Sequence, residues 1–208
     1  MHLEILDKVR QKLLEKLAPQ VSDFVLGGGT ALALQIGHRK SYDFDFFRKE
    51  EISSQLIINL KSVTDIKTVA VDTISELTVF DTDDIKCTFL YYPFPPQFPV
   101  IVYQNIRLFD IRDIALHKAY VIGRRGEWRD YVDFYMILKG EYIEFDEVIR
   151  KAEIAYGSLF NAKLFLQQLV YFEDISNFEL ESVVDVKLPE RDEVETYFSN
   201  LVKKYIQI

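Results

Sequence analysis

Residues 23–47 constrain the fold more than any other stretch of this chain. They read Asp-Phe-Val-Leu, then Gly27-Gly28-Gly29-Thr30, then Ala-Leu-Ala-Leu-Gln-Ile to Gly37, and finally Tyr42-Asp-Phe-Asp-Phe-Phe47. The apolar run predicts a short strand, and the glycines break it. Thr30 is placed to cap a helix that Gly37 ends. The alternation of aromatic and acidic residues over 42–47 has the two-residue period of a half-buried strand. It puts Asp43 and Asp45 on one face. Strand, helix and strand in so short a span exclude an all-helical or all-strand first half.

The flanking pattern extends this layout. Leu3, Leu6, Val9, Leu13, Leu14 and Leu17 recur at helical spacing, and Pro19 ends that helix. Charges recur through it, so it reads as an amphipathic helix and not a signal peptide. A helix is predicted over 52–60, then strands over 67–71, 76–80 and 85–92. Residues 93–99, Pro-Phe-Pro-Pro-Gln-Phe-Pro, cannot join a central ladder. One more strand is predicted over 100–108. From Ile111 the period is helical, over about 111–122, 127–138, 145–156, 161–172 and 190–206. The expected organisation is an α/β core over 1–108 and a helical domain over 109–208, which would complete the site. No apolar run is long enough to span a membrane. With one cysteine and three histidines in 208 residues, a disulfide framework and a Cys- or His-rich metal centre are excluded, and a cytoplasmic setting is expected.

Charge narrows the partner classes. The net charge of -8 argues against a broad nucleic-acid surface. Its distribution is uneven: residues 141–208 hold 14 acids and 7 bases, whereas 107–129 hold six Arg or Lys against three acids. A local basic site on a mildly acidic body is compatible with that.

The chemistry sits at 28–46. Gly28 and Gly29 have no side chains, so their N–H groups can approach phosphate oxygens closely. A helix N-terminus beginning at Thr30 adds donors and a favourable dipole. Two carboxylates at i and i+2 on a strand repel unless a cation sits between them, and a hard ion such as Mg²⁺ (or Mn²⁺) fits. The structural alternative is an ordinary turn followed by an edge strand with one wet acidic face. Arg39 and Ser41, just before the acids, suit either phosphate or the acids themselves.

Gly-Gly-Thr, a short helix, Gly-His-Arg-x-Ser and Asp-x-Asp-x-Phe resemble the first motif of the AbiEii/AbiGii-type nucleotidyltransferases, of the polymerase-beta-like superfamily. Thirteen residues separate Gly29 from Asp43, which suits that motif. Asp-Ile-Ala-Leu-His-Lys-Ala over 113–119 resembles the family's Asp…Lys…Ala helix motif and supplies Asp113 and Lys118. Arg124, Arg129, Asp130 and Asp133 resemble its Arg-x4-Arg-Asp-x-x-Asp motif. The resemblance runs in order over about 24–138 and leaves 140–208 without a motif.

It implies an α+β fold: a polymerase-beta-like core, with a mixed sheet flanked by helices, and a C-terminal helical domain. It implies transfer of a nucleotide from an NTP to an acceptor hydroxyl, with RNA such as a tRNA 3′ end as acceptor, and a toxin role beside a cognate antitoxin. The implied catalytic set is Asp43, Asp45, Lys118 and Asp130, with Asp43 and Asp45 holding the metal. The implied nucleotide contacts are Gly28, Gly29, Thr30, Arg39, Ser41, Lys86, Arg124 and Arg129.

One element departs from the superfamily. The strand expected to carry a third carboxylate offers Lys86, Cys87 and Thr88 at its centre. Three readings stay open: another acid such as Asp130 serves, the substrate assists itself, or the protein only binds nucleotide. Transfer to protein is a further alternative. Asp130 and Asp133, three apart on a helix, equally suit an ionic core with Lys118 or Arg124. His38 and His117 suit polar structural positions, and Cys87 a buried strand position. Tyr91, Tyr92, Phe94 and Phe98 suit packing under the proline-rich loop better than base stacking.

Overall fold

The computed structural model describes residues 1–183 and 186–207. The chain divides into two compact units, Met1–Asp110 and Ile111–Ile208.

The first unit is built on a seven-stranded mixed sheet. Its strands are β1 (Val25–Gly27), β2 (Phe44–Arg48), β3 (Ile66–Asp72), β4 (Glu76–Asp81), β5 (Lys86–Tyr91), β6 (Ile101–Tyr103) and β7 (Ile106–Leu108), in the order β3-β4-β5-β2-β1-β7-β6. β2 and β5 run parallel, as do β1 and β7; the other neighbours are antiparallel. Register divides the side chains between two faces. One carries Leu26, Phe44, Phe46, Leu77, Val79, Cys87 and Phe89, all at most 4% exposed. Phe46 stacks on Phe89 with centroids 5.2 Å apart, and Phe24 meets Phe89 edge-on at 5.5 Å. The other face carries Gly27, Asp45, Thr88 and Thr78 as one row across four strands. The period-2 pattern at 42–47 therefore sorts Phe44 and Phe46 into the core and leaves Asp45 on the polar face.

Three helices complete this unit: α1 (Lys8–Leu17), α2 (Gly28–Ile36) and α3 (Ser54–Lys61). The helix predicted from residue 3 is split. Leu3–Ile5 forms a separate 3-10 turn, and Asp7 restarts the chain by accepting from Arg10 N at 2.8 Å. An Asp at this position satisfies a donor that the first helical turn leaves open. The single strand predicted over 100–108 is a hairpin. Gln104 and Asn105 both have positive φ, 47° and 64°, as a tight two-residue connection with the strand twist requires.

The second unit is helical: α4 (Ile111–Ile122), α5 (Trp128–Lys139), α6 (Phe145–Tyr156), α7 (Ala162–Leu169) and α8 (Arg191–Ile206). α7 ends three residues before its predicted limit. The core joins Tyr131 and Phe134 of α5 to Phe165 of α7 and Phe198 of α8, all fully buried. Phe134 stacks on Phe198 at 5.8 Å. Among the described residues no helix is long and apolar enough to cross a membrane.

Candidate active site

β1 runs straight into α2 with no loop between them. Gly27 caps the helix, and Gly28 turns the chain with φ of 63°. Thr30 is not the cap that the sequence suggests; it lies one turn inside. The glycines are demanded by their neighbours. A Cβ on Gly28 would sit 2.6 Å from Asp45 Oδ2, and one on Gly27 would sit 2.6 Å from the Phe47 ring. The backbone at the start of α2 is thus laid against the Asp45 carboxylate at a distance no side chain tolerates.

Asp45 lies within β2, between Gly27 of β1 and Thr88 of β5. Asp43 precedes the strand by one residue, and both acids are half-buried. The segment that delivers Asp43 is pinned from two helices. Thr30 Oγ1 of α2, 2% exposed, bonds the Asp43 carbonyl and lies 2.7 Å from Ser41 Oγ. Arg10 of α1 donates from Nε to the Tyr42 carbonyl at 3.0 Å and lies 4.8 Å from the Tyr42 ring centroid. Asp7 holds the same guanidinium. Arg39, also buried, donates to the Lys40 carbonyl at 2.9 Å. Arg10 was invisible to motif reasoning because it lies in a different helix, 32 residues from its partner.

β5 presents Lys86, Thr88 and Leu90 on the face that carries Asp45, and no acid. Cys87 points to the core. Burial pushes its thiol well above the usual range, reinforced by the charges of Asp81, Asp43 and Asp45. It is an inert core residue.

The second unit holds a buried ionic cluster of its own. Lys118 of α4, 4% exposed, has its amine 2.7 Å from Asp130 and 2.6 Å from Asp133 of α5. Arg125 adds a contact to Asp130 at 3.3 Å. Burial acts to raise the Asp130 pKa, but the charges of Lys118 and then Arg125 outweigh it, and the carboxyl titrates below its ordinary value. His117 is pushed down to about 4 by burial and by the neighbouring Lys118 charge. Arg124 bonds the carbonyls of Tyr120 and Leu159 and lies over the Tyr120 ring at 3.6 Å. Arg129 is half-exposed and lies 3.5 Å from Glu127.

The chain has relatives in both sequence and fold. Residues 12–83 match the AbiEii nucleotidyltransferase family. Its description is that of the nucleotidyl transferase AbiEii toxin of a type IV toxin–antitoxin system. The AbiEii stretch includes α2, β2 and both acids. Across 207 residues the chain is 29% identical to the uncharacterized protein aq_aa25 of Aquifex aeolicus, covering 97% of this chain and 98% of that one. Among solved structures, a candidate nucleotidyltransferase of H. pylori aligns with a TM-score of 0.57 at 21% identity, covering 96% of this chain and 94% of that one. MenT4, a nucleotidyltransferase toxin of Mycobacterium tuberculosis, aligns with a TM-score of 0.57 at 14% identity over 94% and 80% of the two chains. The fold is that of the nucleotidyltransferases, and the AbiEii region is the part that carries the acid pair.

Proposed function

We propose that this chain moves a nucleotide from an NTP to an acceptor hydroxyl on RNA, as the toxin of a type IV toxin–antitoxin pair. The observation that carries the reading is the Asp45 carboxylate packed against Gly28, where no Cβ fits, inside the stretch that matches AbiEii. The toxin role and a separate antitoxin come from that family's description.

Among the described residues no three His, Cys, Asp or Glu side chains cluster as a full metal cage. Two carboxylates, Asp43 and Asp45, fit Mg²⁺ or Mn²⁺, because these ions take one or two protein carboxylates and complete their shell with water and substrate phosphates. When bound there, the ion would neutralise charge on the phosphates and leaving pyrophosphate. Gly28 and Gly29 would bring backbone N–H groups to the phosphates at the start of α2. Thr30 would hold the Asp43 backbone in place, because its hydroxyl is buried and engaged there. Lys86, on the Asp45 face, would contribute a positive charge. For Lys118, Asp130 and Arg129 a role in the reaction rests on motif order, and for Arg124 the bonds within its own unit favour a structural role.

A non-catalytic nucleotide-binding module is the second reading, favoured by the absence of an acid on the Asp45 face of β5. Incubation with each of four α-labelled NTPs, Mg²⁺, and either total tRNA or a protein extract separates the readings. Label on RNA that is lost in Asp43→Asn and Asp45→Asn supports the proposal. Label on protein replaces the acceptor. NTP binding without transfer supports the binding module.

A further inference from the structure

Thr88 Oγ1 is buried, on a residue only 6% exposed, and makes no hydrogen bond. A buried hydroxyl left without a partner is costly, because it has given up its bonds to water. Such an orphan beside Asp45 calls for an explanation, and a catalytic role is one that this position suits. Register sets Thr88 beside Asp45 on one side and opposite Thr78 on the other. Thr78, 3% exposed, donates its proton to Glu76 Oε1 at 2.7 Å. Residues two apart on a strand share a face, so Glu76, Thr78, Thr88 and Asp45 all line the same side of the sheet. Since the Thr78 proton is committed to Glu76, the Thr78 oxygen has lone pairs open to a donor. Directly opposed threonines have Cβ atoms about 4.5–5.5 Å apart and commonly hydrogen-bond across strands. A turn about Thr88 χ1 would be needed to make that link, since Thr88 Oγ1 is without a partner as it stands.

We propose that Thr88 receives the attacking hydroxyl of the acceptor and that Thr78 passes the proton on to Glu76. This rests on the transferase reading above. The acceptor oxygen bonds to the α-phosphorus as the bond from that phosphorus to the α–β bridging oxygen breaks, and pyrophosphate leaves. The acceptor proton moves to Thr88 Oγ1, the Thr88 proton to Thr78 Oγ1, and the Thr78 proton to Glu76 Oε1. Glu76 is half-buried, so it can return the proton to water. Thr88 is the catalytic residue here, whereas Thr78 and Glu76 act through it. The proton acceptor is thereby placed one strand outward, on β4, where β5 offers no acid.

Thr88→Val, Thr88→Ser and Glu76→Gln test this in the full chain, with α-labelled NTP and the acceptor identified by the transfer assay. The expected result is a kcat lowered on the order of 10²-fold in Thr88→Val and Glu76→Gln, with KM for NTP unchanged and activity restored in Thr88→Ser. Thr88→Val should also melt at a higher temperature than wild type, since it removes an unsatisfied buried hydroxyl; a lower kcat in a more stable protein cannot come from misfolding. A kcat within about threefold of wild type in Thr88→Val or Glu76→Gln, or failure of Ser to restore what Val loses, overturns the relay alone. If the wild type transfers no label to any acceptor, the transferase reading falls and the relay falls with it.

Discussion

Gly28 is held to glycine by Asp45, because the carboxylate occupies the space that a Cβ would need. Asp43→Asn or Asp45→Asn should abolish transfer while changing the melting temperature little, since Asn keeps the size and shape of the side chain it replaces. Full activity in either variant would refute the metal assignment. Mn²⁺ binding followed by electron paramagnetic resonance should weaken in the same variants. Gly28→Ala places a methyl 2.6 Å from Asp45 Oδ2 on a backbone with φ of 63°. About 1–3 kcal/mol of destabilisation is expected from the backbone alone, with loss of Mn²⁺ affinity beyond that. The glycine junction and the strand that bears Asp45 were legible in the sequence because spacing and residue type report them. Thr88 was legible only as a missing acid: whether its hydroxyl finds a partner depends on β2 and β4, which no local pattern reports. The engagement of Thr30 with Asp43 was hidden for the same reason.

At the scale of elements, α1 and α2 act as clamps on the short segment that enters β2. Arg10→Ala removes the bond to the Tyr42 carbonyl and the ion pair with Asp7, which keeps its bond to the backbone N of residue 10. It is expected to lower Mn²⁺ affinity several-fold with a loss of about 1 kcal/mol in stability, and Arg10→Lys is expected to restore it in part. In the helical unit, the α4–α5 cluster sets a pH response. Burial depresses the His117 pKa to about 4 from its ordinary 6.5. Between those values the unfolded chain binds the proton that the folded one excludes, so stability should rise with pH across that window and level off above it. Asp130, whose pKa is also lowered, adds a loss at still lower pH, as its pairing with Lys118 is protonated away. Melting curves from about pH 2 to 8 would show both effects, and His117→Gln should flatten the upper part. Helices and strands were largely readable from periodicity. The β6–β7 turn was not, since Gln104-Asn105 lacks the glycine that usually signals such a hairpin. The break after Ile5 was missed because Leu3 and Leu6 continue the helical spacing of α1.

For the whole molecule, a net charge of -8 limits how the proposed RNA acceptor could be held. Few phosphate contacts should give a shallow salt dependence, with a slope of log K against log salt of about 2 to 4 rather than near 10. Affinity measured at several salt concentrations checks this, and a steep slope would reveal an extended RNA track. The sheet order has a consequence for how the chain acquires its shape during synthesis. β1 is an interior strand yet only three residues long, and its two partners come from residues 44–48 and 106–108. The ribosome therefore releases the middle of the sheet long before one of its sides. Closing that gap depends on distant pairing, which is intrinsically slow. Until β7 emerges, the nascent glycine junction has one flank open, so a translating ribosome should carry this unit unfinished through more than half of its synthesis.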